Sequence, residues 1–280
     1  MKYGGQVPEV YSHSRLSSFE SCPKKFEYRY KLKLPADTES IEAFAGKRVH
    51  EVLERLYKAA QESRVPALGR VLERFRALWN EHFDAARLRI ARSENGPDVY
   101  RGNGERCLTN YYRRFYPFDQ DETLGLEQRV AFSLDAQGSY RVQGVIDRVV
   151  RAKDEAIEIH DFKTAQRVPR QQDLDRDRQL ALYQIGIVEK YGANRPIRLV
   201  WHYLLPDQVR TSTRTPEALT ELRTRTISLI DEIRAETRFE PRPGPLCRWC
   251  EYAEICPASG LPQRATPAAP APPAGQMPLL

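Results

Sequence analysis

The most informative pattern of apolar and polar positions lies in residues 144–164, where two apolar, β-branched runs flank a polar break. The runs read Gly-Val-Ile-Asp-Arg-Val-Val and Ile-Glu-Ile-His-Asp-Phe-Lys-Thr, and residues 151–155 separate them. This pattern predicts a hairpin of two strands joined by a turn. Alternate side chains of the second strand, from Ile157 to Asp161 and Lys163, point the same way. An apolar face that ends in charges indicates a site, because buried charges cost several kcal/mol unless they are paired or bind metal.

Other stretches of the chain also show a clear periodicity. Apolar residues recur at helical spacing in residues 41–60, which predicts a strong helix. Further elements follow from the same reasoning: helices in 65–90 (one or two), 103–116, 174–191 and 216–237, and strands in 124–134 and 197–205.

The N-terminal region predicts a short helix that carries Cys22. Residues 17–20, Ser-Ser-Phe-Glu, have the form of a capping box. Residues 24–34 then interleave lysine and arginine with phenylalanine and tyrosine. Two interpretations remain open for this stretch, a track for single-stranded nucleic acid or an amphipathic helix with its aromatic side chains in the core.

The two strands of the hairpin each carry a carboxylate, Asp147 on the first and Asp161 on the second. Hard oxygen ligands of this kind suit Mg²⁺ or Mn²⁺. Such a cation activates water and neutralises charge on a phosphate, while an ammonium group such as Lys163 orients the water or stabilises charge. The alternative is a surface hairpin with an ordinary Asp/Lys ion pair.

Gly-Val-Ile-Asp147 followed by Asp161-Phe-Lys163-Thr resembles the PD-(D/E)XK nuclease superfamily, specifically its RecB-like branch. Gly46-x-x-x-His50 is similar to the early helix of that family, whose histidine contributes to the metal site. The resemblance therefore implies that His50, Asp147 and Asp161 hold Mg²⁺ or Mn²⁺ and that Lys163 assists the attacking water. Taken alone, His50 would be a satisfied core or boundary histidine.

Two further elements extend the resemblance. Similar nucleases have a glutamate on the strand before the first aspartate, which makes Glu127 a candidate catalytic carboxylate; the alternative is an exposed strand residue. Gln179-x-x-x-Tyr183 resembles the element that follows the catalytic lysine in RecB-type nucleases. Gln179 and Tyr183 lie four residues apart and so share a helix face, and the resemblance implies that they bind the DNA backbone.

The C-terminal cysteines, Cys247, Cys250 and Cys256, form a C-x₂-C-x₅-C motif, which indicates a metal site. Cys22 is the best fourth ligand. One distant cysteine plus a C-terminal triplet resembles the iron–sulfur staple of AddB-type and CRISPR-adaptation nucleases, which implies a structural 4Fe–4S cluster. Structural Zn²⁺ is the alternative, although zinc sites more often pair two C-x₂-C knuckles. Cys107 stands apart and is expected to be a small buried residue.

Composition adds little to this interpretation. Lysine and arginine number 44 against 38 aspartate and glutamate, a net charge of +6 that favours a polyanionic partner without proving one. The sequence shows no apolar leader and no uncharged run of membrane-spanning length, so we expect a cytoplasmic protein without a membrane partner. An odd number of cysteines, five, argues against a secreted disulfide framework.

The resemblance and the predicted elements imply an α/β fold, with a mixed central β-sheet flanked by helices in a restriction-endonuclease-like core. We expect an irregular lead-in (1–13), one nuclease domain (14–257) and a disordered tail rich in proline and alanine (258–280). Within the domain, the helical part spans about 14–118, the sheet core about 122–205, and the C-terminal helix with the cysteine cluster about 215–257.

The expected function is metal-dependent hydrolysis of DNA as a RecB-like exonuclease, with single-stranded DNA as substrate, in DNA repair and recombination or in CRISPR adaptation. Expected partners are DNA and a helicase or another recombination or CRISPR protein. Two alternatives remain open: a non-catalytic DNA-binding subunit that uses the same fold, and a sequence-specific endonuclease.

Overall fold

The computed structural model describes residues 9–92, 94–192 and 194–264. Residues 1–8 of the predicted lead-in and residues 265–280 of the predicted disordered tail lie outside these ranges. No helix among the described residues is both long enough and apolar enough to cross a lipid bilayer.

The chain alternates between helices and strands. The helices are α1 (His13–Ser21), α2 (Pro23–Phe26), α3 (Ile41–Gln61), α4 (Leu68–His82), α5 (Pro97–Phe115), α6 (Gln171–Leu174), α7 (Gln179–Tyr191) and α8 (Pro216–Ala235). The strands are β1 (Val10–Tyr11), β2 (Glu39–Ser40), β3 (Leu88–Arg89), β4 (Glu122–Ser133), β5 (Arg141–Arg151), β6 (Ile157–Lys163), β7 (Ile197–Tyr203) and β8 (Gln208–Ser212). A π-helical turn spans Glu27–Lys31, and 3₁₀ turns span Ala85–Arg87 and Pro245–Trp249.

Six of the strands form one mixed sheet, and β2 with β3 form a small parallel pair. β4 runs antiparallel along one edge of β5, while β6 (antiparallel) and β1 (parallel) pair with different stretches of its other edge. β7 lies parallel to β6, and β8 pairs antiparallel with β7. The parallel step from β6 to β7 is bridged by α6 and α7, as such a connection requires. The predicted α/β fold with a mixed central sheet is therefore confirmed.

Two apolar clusters cover the opposite faces of the sheet. Ile157 and Ile159 of β6 pack in a cluster with α1, α7 and α8, whereas Phe162 of the same strand packs with α3, α4 and α5. This division follows from the alternation of side chains along a strand. Asp161 and Lys163 share the face of Ile159 and therefore lie on the side of α7.

Helix α3 carries the buried stripe that its sequence predicts. Ser40 caps its first turn, with the side chain accepting a hydrogen bond from the Ala43 N–H at 3.2 Å. Val49, Leu53 and Leu56 are buried against α4 and α5. The stripe fixes the rotation of the helix and so directs His50, at the edge of the stripe, toward the sheet.

The N-terminal region differs from expectation. Within the stretch predicted to be irregular, Val10–Tyr11 forms β1, and the first helix begins at His13. Its cap is Ser12, which accepts a hydrogen bond from the Arg15 N–H at 3.1 Å, rather than the predicted capping box at 17–20. The helix ends at Ser21, because Cys22 precedes Pro23 and takes an extended conformation.

Candidate active site

Strands β5 and β6 separate at the carboxylates that the sequence singles out. Their paired residues run from Arg151–Ile157 to Arg148–His160. One step further along that register stand Asp147 and Asp161. Beyond this point, the Phe162 N–H donates to Asp147 Oδ2 at 2.6 Å, and the Phe162 carbonyl oxygen lies 2.8 Å from His50 Nε2. Two side chains thus replace the strand as hydrogen-bond partners of Phe162, and the separation of the strands opens a site.

His50 links α3 to both strands. Its Nε2–H donates to the Phe162 carbonyl oxygen, and its Nδ1 lies 3.3 Å from Asp147 Oδ1. Burial disfavours the charged imidazole, but the carboxylates of Asp147 and Asp161 outweigh it and raise the pKa of His50 to about 9. Because the Phe162 carbonyl oxygen occupies Nε2, the nitrogen that faces the carboxylates is Nδ1.

Asp161, Lys163 and Gln179 form a second group beside the first. Lys163 Nζ lies 2.7 Å from Asp161 Oδ2 and donates to Gln179 Oε1 at 2.9 Å. Gln179 Nε2 donates to Asp161 Oδ1 at 3.1 Å. Burial, reinforced by Asp147, raises the pKa of Asp161 to about 6 against the opposing effect of Lys163. Burial also opposes protonation of Lys163, yet the attraction of Asp161 raises its pKa, so the ammonium form is stabilised.

Glu127 faces the same opening from β4. It falls opposite Asp147 in the β4–β5 register, between the pairs Leu126–Arg148 and Gln128–Ile146. Its φ of 44° lies in the left-handed region, which costs a residue other than glycine about 1–3 kcal/mol and is common at functional sites. Burial, with repulsion from Asp147, raises the pKa of Glu127. The strand therefore holds this carboxylate near another despite strain and repulsion.

Tyr183 lies one helical turn beyond Gln179 and packs on β5. A Cβ added to Gly144 would lie 2.1 Å from Tyr183 Cε1, so the ring occupies the space that glycine leaves. Tyr183 is buried, and burial raises its pKa. Gln179 thus reaches the charged groups directly, whereas Tyr183 holds α7 against the strand that carries Asp147.

These residues fit a divalent cation. One ligand atom each from His50, Glu127 and Asp147 all lie within 4.8 Å of one another. Metal-binding histidines usually donate their other ring N–H to a carbonyl or carboxylate, as His50 does toward Phe162. Asp161 Oδ2 is buried and has no hydrogen bond of good geometry among the described residues, although Lys163 Nζ is close. One imidazole with several carboxylate oxygens is a donor set for Mg²⁺ or Mn²⁺.

A second group of possible ligands, Asp121, Glu158 and His160, lies elsewhere. There the side chain of Arg148, only 2% exposed, pairs with Asp121, and Arg198 donates to Glu158 Oε1 at 2.7 Å. Because guanidinium groups already neutralise both carboxylates, this group is a structural ion-pair network rather than a metal site.

The four cysteines expected to act together line one cavity of about 180 Å³. Cys22 enters it from the start of α2, and Cys247, Cys250 and Cys256 enter from residues 245–256, here named the cysteine segment. Backbone N–H groups of Arg242 and Gly244 donate to the sulfur atoms of Cys22 and Cys247, each at 3.4 Å. Cys107 lies apart from them, buried in α5.

The structure thus brings together all six residues predicted for catalysis and DNA contact on the sheet and α7, together with His50 from α3. They divide into two subsets. His50, Glu127 and Asp147 form the compact set, whereas Asp161 pairs with Lys163 and Gln179. Sequence reasoning missed the role of the Phe162 main chain, which no side-chain motif can indicate.

A family model described as the PD-(D/E)XK nuclease superfamily matches residues 10–257. No curated protein sequence matches the chain. Among solved structures, the protein SSO0001 is 16% identical with a TM-score of 0.37, covering 91% of this chain and 89% of its own. A candidate exonuclease from Eubacterium rectale is 12% identical with a TM-score of 0.47, covering 85% and 90%. At these values neither solved structure informs the function of this chain.

Proposed function

This chain belongs to the PD-(D/E)XK nuclease superfamily, a group of metal-dependent nucleases, and on that premise we propose that it is a RecB-like exonuclease that hydrolyses single-stranded DNA. One observation carries the proposal: Asp147 and His50 bind the main chain of Phe162 while Asp161 and Lys163 stand beside them. A binding module has no need to hold these partly buried charges together, because each costs free energy to bury.

The metal-binding role falls to His50, Asp147 and Asp161, with Glu127 as an additional carboxylate. Mg²⁺ or Mn²⁺ bound there supplies an activated water and neutralises charge on the phosphate. Burial and repulsion from the neighbouring Asp147 raise the pKa of Glu127. The close approach of the Glu127 and Asp147 carboxylates therefore favours the binding of a cation between them.

Lys163 supplies the positive charge of the site itself. Its ammonium group is fixed between Asp161 Oδ2 and Gln179 Oε1, so it is positioned before substrate arrives. From there it orients the attacking water and stabilises negative charge that develops on the phosphate. Gln179 holds both partners in register and positions the DNA backbone at the start of α7, while the buried Tyr183, predicted to bind DNA, acts indirectly by holding α7 against β5.

We also propose that Cys22, Cys247, Cys250 and Cys256 hold a structural 4Fe–4S cluster. No three of their sulfur atoms lie within 4.8 Å of one another, whereas the sulfurs of a tetrahedral zinc site with bonds of about 2.3 Å are about 3.8 Å apart. The wider spacing and the cavity between them support a cluster over a single zinc ion, while the two N–H···S contacts suit metal-bound thiolates of either kind. The cluster would tie residue 22 to the cysteine segment and so close most of the chain into one loop.

The substrate and pathway complete the proposal. The excess of basic residues, +6, supports a polyanionic partner. The sequence contains no Gly-x-x-x-x-Gly-Lys-Ser/Thr loop, so we propose that a partner helicase supplies single strands when the substrate is duplex. We propose that the enzyme acts in DNA repair and recombination or in CRISPR adaptation.

Digestion of labelled DNA under anaerobic conditions tests the function. Linear single strands labelled at the 5′ or 3′ end, and a circular single strand of the same sequence, are incubated with Mn²⁺ or with EDTA. We expect progressive shortening of the linear strands with Mn²⁺ alone and no opening of the circle. Opening of the circle would identify an endonuclease, and DNA binding without any digestion would identify a non-catalytic subunit.

A further inference from the structure

A cavity of about 600 Å³ adjoins the active site on another face of α3. Glu42, Ala45 and Val49 line it, and at 100° per residue these positions lie on a different side of the helix from His50. The other walls come from α5, from the loop after β6 and from Trp249 of the cysteine segment. The cavity therefore lies where three parts of the domain meet, as small-molecule sites often do.

Thr164 joins this cavity to the catalytic strand. It follows Lys163 directly and lines the cavity. A Cβ added to Gly46 would lie 3.2 Å from Thr164 Oγ1, so α3 and the end of β6 meet closely at this point. Gly46 also lines the opening that contains His50 and Glu127. The cavity and the opening that contains His50 therefore adjoin where Gly46 meets Thr164.

Two buried polar atoms in the cavity, one on Tyr100 and one on Glu42, lack a hydrogen bond of good geometry within the described residues. Tyr100 is only 7% exposed, and its hydroxyl forms no hydrogen bond of good geometry there, although the side chains of Asn95 and Glu42 are close enough to shift its pKa. Glu42 Oε1 accepts a hydrogen bond from Trp249 Nε1 at 3.2 Å, while the buried Oε2 has none. Unpaired buried groups are costly unless a ligand pairs with them. A hydroxyl and a carboxylate oxygen suit a ligand that carries hydrogen-bond donors.

The remaining lining residues indicate what that ligand is. Trp249 supplies an indole ring on which a base can stack. Arg92 and Arg167 are exposed at the cavity, and neither forms an ion pair with the described residues. A donor-bearing ring held beside an aromatic side chain, with phosphates near guanidinium groups, is the chemistry of a nucleotide in a single strand.

We propose that this cavity binds an unpaired nucleotide next to the scissile phosphate, with its base against Trp249, its donors on Tyr100 and Glu42, and its phosphate near Arg92 and Arg167. The inference rests on the proposed function, because it assumes a DNA substrate. The cavity volume of about 600 Å³ suits a ligand the size of a nucleotide. A base that is stacked in a DNA duplex would have to leave the double helix to enter the cavity. The cavity thus selects single-stranded DNA.

Fluorescence anisotropy of dye-labelled oligonucleotides can detect this contact. Trp249 also lines the cavity of the proposed cluster, which would quench its emission, so the dye rather than the indole is the reporter. Full-length Asp147→Asn protein, which is not expected to cleave, is titrated with labelled single-stranded and blunt duplex oligonucleotides of equal length. We expect tight binding of single strands only, and a Kd for single strands about fivefold higher or more in the Asp147→Asn protein that also carries Trp249→Ala.

Affinities for the same oligonucleotides then test the polar contacts. Tyr100→Phe and Arg167→Ala should each raise the Kd for single strands about fivefold or more, and Arg167→Ala should lower the salt slope by about 1. Tyr116→Phe and Arg113→Ala, at exposed positions of the same region, are matched controls that should leave the Kd unchanged. Circular dichroism establishes that each variant is folded.

The possible outcomes separate the two proposals. Single-stranded DNA that binds and is cleaved, with unchanged Kd in Tyr100→Phe and Arg167→Ala, would overturn the nucleotide cavity and leave the nuclease intact. Binding of duplex as tight as that of single strands would also overturn it. Wild-type protein that neither binds nor cleaves DNA would overturn the proposed function, and this inference with it.

Discussion

Two substitutions can separate the structural contacts of Asp147 from its proposed role in binding a cation. Its Oδ2 accepts the Phe162 N–H at 2.6 Å, and its Oδ1 faces His50 Nδ1. Asp147→Ala removes both contacts and leaves the N–H of a residue that is 4% exposed without a partner. Asp147→Asn keeps an oxygen that can accept this hydrogen bond but removes the charge that a cation requires.

The magnitudes follow from these contacts. An unsatisfied buried N–H costs about 1–3 kcal/mol. Loss of attraction to protonated His50 adds to this cost, while relief of repulsion with Glu127 and Asp161, whose pKa values Asp147 raises, offsets it. The net change for Asp147→Ala is therefore about 1–3 kcal/mol. Asp147→Asn avoids the first cost, so its free energy of unfolding should stay within about 1 kcal/mol of wild type.

Thermal unfolding and cleavage measured on the same preparations provide the assay. For a protein of this size, each kcal/mol lost from the free energy of unfolding lowers the Tm by about 2–4 °C. The Tm should therefore fall by roughly 2–12 °C in Asp147→Ala and by less than about 4 °C in Asp147→Asn. Cleavage of single-stranded DNA with Mn²⁺ should fall at least about a hundredfold in both variants. Substitution of residues that only hydrogen-bond to metal ligands already lowers metal affinity or activity about 10–100-fold, and loss of a ligand should cost more. Wild-type cleavage by Asp147→Asn, or unchanged stability of Asp147→Ala, would refute the reasoning.

Three further predictions concern other parts of the molecule. Because a cation bound at the proposed site must displace the proton of His50, whose pKa is raised to about 9, apparent Mn²⁺ affinity measured by calorimetry should rise by up to tenfold per pH unit from about pH 6 to 9. His50→Ala should flatten this dependence, and a flat wild-type profile would exclude His50 as a ligand. Gly144→Ala should lower the free energy of unfolding in urea by about 1–3 kcal/mol, since the new Cβ would lie 2.1 Å from Tyr183 Cε1. Gly102→Ala, in α5 with nothing within 4 Å of its added Cβ, is the control and should be neutral or slightly stabilising. Cys250→Ala should lose iron and sulfide and lower the Tm; stoichiometric zinc without iron or sulfide in the wild-type protein would reject the cluster.

Local periodicity made most of the fold predictable. The hairpin of β5 and β6 and the buried face of α3 follow from residues that are close in sequence. Short edge strands were not predictable in the same way. β1 has two residues and β8 has five, and each is defined by pairing with a distant strand rather than by an apolar pattern of its own.

The site was predictable as a set of residues but not as an arrangement. The contact of His50 with Phe162 spans 112 residues and uses a carbonyl oxygen, which carries no residue-specific signal. The left-handed conformation of Glu127 and its place beside Asp147 depend on the β4–β5 register. The link from Gln179 to Lys163 likewise requires α7 to lie across the sheet. Residue type shows which chemistry is available, whereas tertiary structure decides which groups meet.

The most direct test of metal-dependent cleavage at this site is the single-turnover rate of Lys163→Ala on end-labelled single-stranded DNA. Mn²⁺ binding is measured by calorimetry, and folding by circular dichroism, on the same preparation. Because the proposed role of Lys163 is to act on the water and the phosphate rather than as a ligand, the variant should bind Mn²⁺ and DNA yet cleave at least about a hundredfold more slowly than wild type. A folded Lys163→Ala protein that cleaves at the wild-type rate would contradict the assignment of this site.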